Sequence, residues 1–242
     1  MKIKKALCVS LSLAFILGLN ACGGGGSDGS GGGGGGAKLQ SAPGNIAFHN
    51  YSLSPSSITM TAQDASGNNY ILQDSTTPNI GLTPFEDHAL AKSFVDTHTL
   101  TKNGAVIATA TSTEYLDFAD YILFGESDSS PDTILFATAY TLPATLNVGD
   151  AGILAVGTLG RSPSGTRIDE QSITVTYSVQ ELDALNLLLC IKDVGSNETT
   201  YGLSLGVTPF SQTWCYAVSG SGNVSAASFS YTDASGTLNF RT

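Results

Sequence analysis

The groups in this chain that could do chemistry are few, and histidine is the scarcest: only His49, His88 and His98. Glu86, Asp87 and His88 lie close in sequence to Asp96 and His98. On a strand Asp96 and His98 share one face, and a returning Glu86 or His88 would complete a site for a hard or borderline cation. A second acidic concentration runs through Glu114, Asp117, Asp120, Glu126, Asp128 and Asp132. Its oxygens suit calcium, but the EF-hand order of alternating acids, central glycine and closing glutamate is missing. The sequence therefore assigns no metal site and no cofactor. Gly202-Leu-Ser204-Leu-Gly206 has the form of a hydrolase nucleophile elbow. Val207-Thr-Pro-Phe210 follows it instead of a helix, and no histidine comes after Ser204 to act as its base, so no catalytic residue is assigned. Trp214, Tyr216 and Tyr201 could stack on sugar rings, but Trp214 beside Cys215 is expected to pack against a disulfide.

Such residues need a compartment and a scaffold. The chain opens with Lys2, Lys4 and Lys5, followed by an uncharged, mostly apolar run over residues 6–19. That run is shorter than the roughly 20 residues needed to span a bilayer and has the form of a signal peptide over residues 1–21. Leu19-Asn20-Ala21-Cys22 resembles the lipobox of Gram-negative bacterial lipoproteins, with Asn20 departing from the small or β-branched residue usual there. The resemblance implies cleavage before Cys22 and acylation of that cysteine, palmitate included. With Gly23 rather than aspartate next, it also implies sorting to the outer membrane of the cell envelope. Several acyl chains anchor stably where one is marginal, at about 0.8 kcal/mol per buried CH₂. Residues 23–36, GGGGSDGSGGGGGG, have no side chains to bury and read as a flexible tether reaching on the order of 20 Å.

Cleavage would remove three lysines, leaving seven Lys and Arg against twenty Asp and Glu, a formal charge of −13. No basic cluster follows the signal, which excludes nucleic acid as a partner. The membrane, through the lipid anchor, is the partner the sequence names. Cys190 and Cys215 are the cysteines left for folding, and in an oxidising envelope they most simply form one disulfide. In a plain meander of strands over residues 184–191, 199–205 and 212–218 they would lie about 9.5 Å apart. A disulfide needs Cα atoms within about 7 Å, so either the bridge is absent or residues 199–205 are displaced from between them, and the displaced arrangement is expected because unpaired envelope thiols are uncommon.

Residues 37–242 read as a single β domain. Residues 172–179 and 224–231 alternate β-branched or aromatic residues with polar ones. Asp64-Ala-Ser-Gly67, Asn103-Gly104 and Asp233-Ala-Ser-Gly236 each sit between such runs as hairpin turns. Further strands are expected over residues 115–124, 133–142, 152–159, 184–191, 199–205 and 212–218, with a short helix as the alternative for residues 85–94. The fold class is all-β: an antiparallel sandwich, half-barrel or barrel of about 9–11 strands with at most one short helix. Residues 140–152, YTLPATLNVGDAG, resemble a stretch of uncharacterised proteobacterial lipoproteins, which brings no chemistry with it.

Anchor, tether and lack of catalytic groups point to a binding or structural module of the envelope, its partner an envelope protein, a glycan or an apolar ligand. The alternative is a tethered hydrolase using carboxylates and His88 or His98. A histidine in a cleft with two acids in hydrogen-bond reach would favour the hydrolase.

Overall fold

The computed structural model describes residues 38–242 apart from 129–131, 163–165 and 235. The expected signal peptide, Cys22 and the glycine run lie outside the described residues. Strand β1 (Ser41–Pro43) leads into helix α1 (Asn45–Ser52), then β2 (Ser56–Gln63), β3 (Asn69–Pro78), β4 (Thr83–Phe85), β5 (His88–Lys102), β6 (Ala105–Leu116), β7 (Ile122–Asp128) and β8 (Asp132–Thr141). There follow β9 (Thr145–Asn147), β10 (Ala151–Arg161), β11 (Ile168–Glu181), β12 (Asn186–Ser196), helix α2 (Thr200–Leu205), β13 (Phe210–Ser219), β14 (Val224–Asp233) and β15 (Gly236–Arg241). Among the described residues twelve strands form one antiparallel wall in the order β3, β2, β15, β14, β13, β12, β11, β10, β8, β7, β6, β5. Pairing of Tyr70 through Pro78 with Lys102 through Phe94 brings β5 back onto β3 and closes the barrel. Of the architectures the sequence left open, the closed barrel is the one formed.

Alternation explains which side faces in. Along β3 the buried positions are Tyr70, Leu72, Asp74 and Thr76, and along β6 they are Ala108, Ala110, Ser112 and Leu116. The opposite phase of β5, β6 and β11 carries Thr97, Thr99, Thr109, Thr111, Thr174 and Thr176. β-Branched hydroxyl residues favour strands while keeping these outer faces polar.

The turns follow their local chemistry. Asp64 Oδ1 accepts from the backbone N–H of Ser66 and of Asn68, and Gly67 takes φ +79°. Asn103 and Gly104 both have positive φ, +49° and +84°, the two-residue turn that matches the twist of β5 and β6. Residues 115–124 divide between β6 and β7, because Asp117 Oδ1 accepts from the N–H of Ala119 and Asp120 and folds the chain back. The break shifts the expected boundary, since residues 115–116 complete β6 and the next strand starts at Ile122. Residues 85–94 are not helical; they belong to the β4–β5 hairpin and the start of β5.

Residues 199–205, expected as a strand, form α2. Thr199 Oγ1 accepts from the Gly202 N–H at 3.1 Å, and Gly206 ends the helix in the left-handed region. A Cβ on Gly202 would lie 2.3 Å from the Glu170 carbonyl oxygen, so glycine lets α2 seat against β11. With that stretch out of the way, β12 and β13 pair directly and set Cys190 opposite Cys215, bridged with Cα atoms 4.0 Å apart.

Two apolar clusters fill the barrel. At the end holding the β2–β3, β5–β6 and β14–β15 turns, Met60, Tyr70, Leu72, Leu100, Phe229 and Phe240 pack together. Toward the other end, Leu116, Leu142, Leu146, Leu187 and Val218 pack around Phe48 of α1. Helix α1 is held there by the β1–β9 pair, by Asn45 N–H donating to the Pro143 carbonyl, and by Asn45 Nδ2 donating to Asp120 Oδ1.

Candidate functional site

Barrel closure brings together acids that are remote in sequence. Asp74 of β3 pairs in register with His98 of β5, Thr76 with Asp96, and Glu114 of β6 with Glu126 of β7. Asp193 of β12 and Gln212 of β13 are register partners on the far wall. These residues, with Phe48 and Tyr51 of α1, Trp214 and Tyr216, line an interior cavity of about 130 Å³. Among the described residues no lysine or arginine lines it.

Burial dominates the electrostatics. It pushes Glu126 up to about 8, with a hydrogen bond to Ser112 opposing and the charges of Asp193 and Asp128 adding. Glu114 rises well above the usual carboxyl range through burial and then the charges of Asp96 and Glu126. Asp96 is raised to about 6 by burial and by Asp74, and Asp193 to about 6 by burial against its hydrogen bond with Gln212. Like charges directly opposite on neighbouring strands repel, and removal from water penalises each ionised carboxyl.

His98 is the cavity's one basic lining residue. Its Nδ1 lies 2.9 Å from Asp74 Oδ1, both side chains nearly buried. Burial favours the neutral ring; Asp74, then Asp96 and Glu126, outweigh it and raise the His98 pKa.

Gln212 is 5 % exposed. Nε2 donates to Asp193 Oδ2 at 2.8 Å, while Oε1, buried on the cavity wall, has no hydrogen-bond partner. A buried unmet acceptor costs about 1–3 kcal/mol. The wall beside it is aromatic: the Trp214 ring centroid lies 4.4 Å from Phe229 and 6.3 Å from Tyr216, and Phe48 meets Tyr216 edge-on at 5.0 Å.

Of the residues singled out in the sequence, Asp96 and His98 do share the inner face. Glu86 and His88 do not complete a site with them: His88 is partly exposed at the start of β5, stacked on Phe124. His49 is buried in α1 and does not line the cavity. Glu114 and Glu126 enter the cavity, whereas Asp117 and Asp120 serve the β6–β7 turn and Asp132 pairs with Arg161 at 2.8 Å, beside fully buried Glu170. Ser204 is no nucleophile elbow; its Oγ donates to the Tyr201 carbonyl on α2. Trp214 faces inward, away from the disulfide beside it. Among the described residues no three His, Cys, Asp or Glu side chains are placed to hold a metal ion.

Sequence reasoning missed Asp74, Asp193 and Gln212. Their signal was phase: Asp74 continues the buried series Tyr70, Leu72, and Asp193 the series Leu187, Leu189, Ile191. Comparison of the chain with protein families, with curated proteins and with solved structures finds no match.

Proposed function

We propose that the chain is a lipoprotein of the cell envelope, anchored in the outer membrane through lipid on Cys22, whose barrel binds a small molecule in its interior. The observation that carries the binding reading is the cavity with its buried, unmet Gln212 acceptor, a polar group that is costly to leave without a donor. The outward threonines of β5, β6 and β11 support the anchoring reading, because polar strand faces do not partition into lipid and attachment then falls to the acyl chains.

Trp214 is the chain's only tryptophan and lines the cavity, so its emission reports occupancy. The lipidated protein in non-ionic detergent is titrated with benzylamine, benzyl alcohol and benzoate. At least one should change Trp214 emission saturably, and Val175→Phe, which fills the cavity, should abolish the change. If none of the three does so, the binding reading falls.

A second reading, a tethered hydrolase, draws on the His98–Asp74 pair. Only Asp74 lies within reach of the ring, Asp96 acting on it by charge alone, and the raised His98 pKa favours the imidazolium, a poor proton acceptor. Ester hydrolysis lost in His98→Gln would restore this reading.

A further inference from the structure

We propose that the cavity takes a small organic ammonium, its N–H groups on the carboxyls and on Gln212 Oε1 and its carbon skeleton against the aromatic wall. This rests on the reading of the barrel as a binding site and names what that site accepts.

Three features of the cavity agree. The polar lining is one-sided: Asp74, Asp96, Glu114, Glu126 and Asp193 face it, with His98 as the single basic group. A neutral or anionic ligand would leave ionisation of those carboxyls as costly as burial makes it, whereas an ammonium offsets that cost. Gln212 Oε1 calls for a hydrogen-bond donor from inside the cavity, because the bond from Nε2 to Asp193 fixes the amide's orientation and leaves the oxygen unmet. Asp96 Oδ1 is likewise buried with no hydrogen-bond partner. Trp214 and Tyr216 complete the recognition, since indole and phenol faces attract cations by about 0.5–2 kcal/mol depending on desolvation.

Shape separates an organic cation from a metal ion. The acids are spread over β3, β5, β6, β7 and β12 and no three converge to coordinate one point. A cation that reaches several of them must itself be extended. The volume of about 130 Å³ is close to that of engineered cavities of ~150 Å³ that accept benzene, which sets the ligand at about six to eight non-hydrogen atoms. Benzylamine and 1,4-diaminobutane both fit that size.

The test compares isosteres. Lipidated protein in non-ionic detergent is titrated at pH 8 with benzylamine, 1,4-diaminobutane, benzyl alcohol, benzoate and calcium or zinc chloride, followed by Trp214 emission and calorimetry. The amines should bind at least about tenfold more tightly than benzyl alcohol, a difference of about 1.4 kcal/mol, and benzoate should not bind. Glu126→Gln and Asp193→Asn, both near-isosteric, should each weaken benzylamine about tenfold while leaving benzyl alcohol within a factor of two. Thermal midpoints confirm that each variant is folded. Benzyl alcohol or benzoate binding as tightly as the amines overturns the ligand class and leaves the binding reading standing. Tight binding of calcium or zinc alone overturns it in favour of a metal. Binding by none of the probes overturns both.

Discussion

Replacing Glu126 by glutamine should stabilise the protein, and only at neutral to alkaline pH. The carboxyl ionises near 4.5 in an unfolded chain and at about 8 in the barrel, so the native state holds its proton over a range where the unfolded state has lost it. Facing it are Glu114 and Ser112 of β6, His98 of β5, Asp193 of β12 and Asp128 of its own strand. For a group whose folded pKa is raised, the favourable contribution is fully present below the unfolded pKa and is lost as pH climbs through the folded one. At about 1.4 kcal/mol per pH unit, the loss between pH 5 and pH 8 is on the order of 3 kcal/mol. Glutamine keeps the shape and a hydrogen-bonding oxygen but cannot ionise. Urea denaturation of wild type and Glu126→Gln at pH 5, 6.5 and 8 measures the difference. The two should coincide near pH 5, and the variant should be the more stable by a few kcal/mol at pH 8. A constant difference across that range, or a variant less stable at pH 8, would refute the account of Glu126 as a carboxyl held against its preference.

The Cys190–Cys215 bridge closes a separation of 25 residues, so Cys190→Ser with Cys215→Ser should cost about 3 kcal/mol in denaturant with an unchanged far-UV spectrum. Titration of the denatured, unreduced Cys22→Ala mature protein should find no free thiol, and two would exclude the bridge. Cys22→Ala should also abolish acylation and leave the protein out of the membrane fraction; retention at wild-type levels would count against the anchor. Phe48→Ala, removing a 2 %-exposed ring from between Tyr121 and Tyr216, should cost about 3–5 kcal/mol, and a cost under about 1 kcal/mol would show that α1 is not part of the core.

The legible parts of the fold were those set by neighbours in sequence. Asp64-Ala-Ser-Gly67, Asn103-Gly104 and Asp233-Ala-Ser-Gly236 encode their hairpins in four residues or fewer, and the constraint on Cys190 and Cys215 correctly moved residues 199–205 aside. That those residues are helical rested on a Thr199 cap and a Gly206 stop around a six-residue stretch, too short for any periodicity to register. Residues 45–52, now α1, gave equally little signal. The cavity depended on closure: Asp74, Glu114 and Asp193 lie on strands far apart in sequence, and only the pairing of β3 with β5 bends the wall so that they face one another. What could be read was each acid's phase. Glu114 shares its face with Ser112 and Leu116 while Thr111 and Thr113 occupy the other, and an acid in the apolar phase of a strand marks an interior polar site.

The most direct test of the central claim is a crystal structure of the protein soaked with benzylamine at pH 8. The ammonium nitrogen should lie within about 3.2 Å of Gln212 Oε1 and of at least one cavity carboxyl, with the ring against Trp214. Ordered water alone between Gln212 and Trp214, at benzylamine concentrations that saturate any emission change, would contradict it.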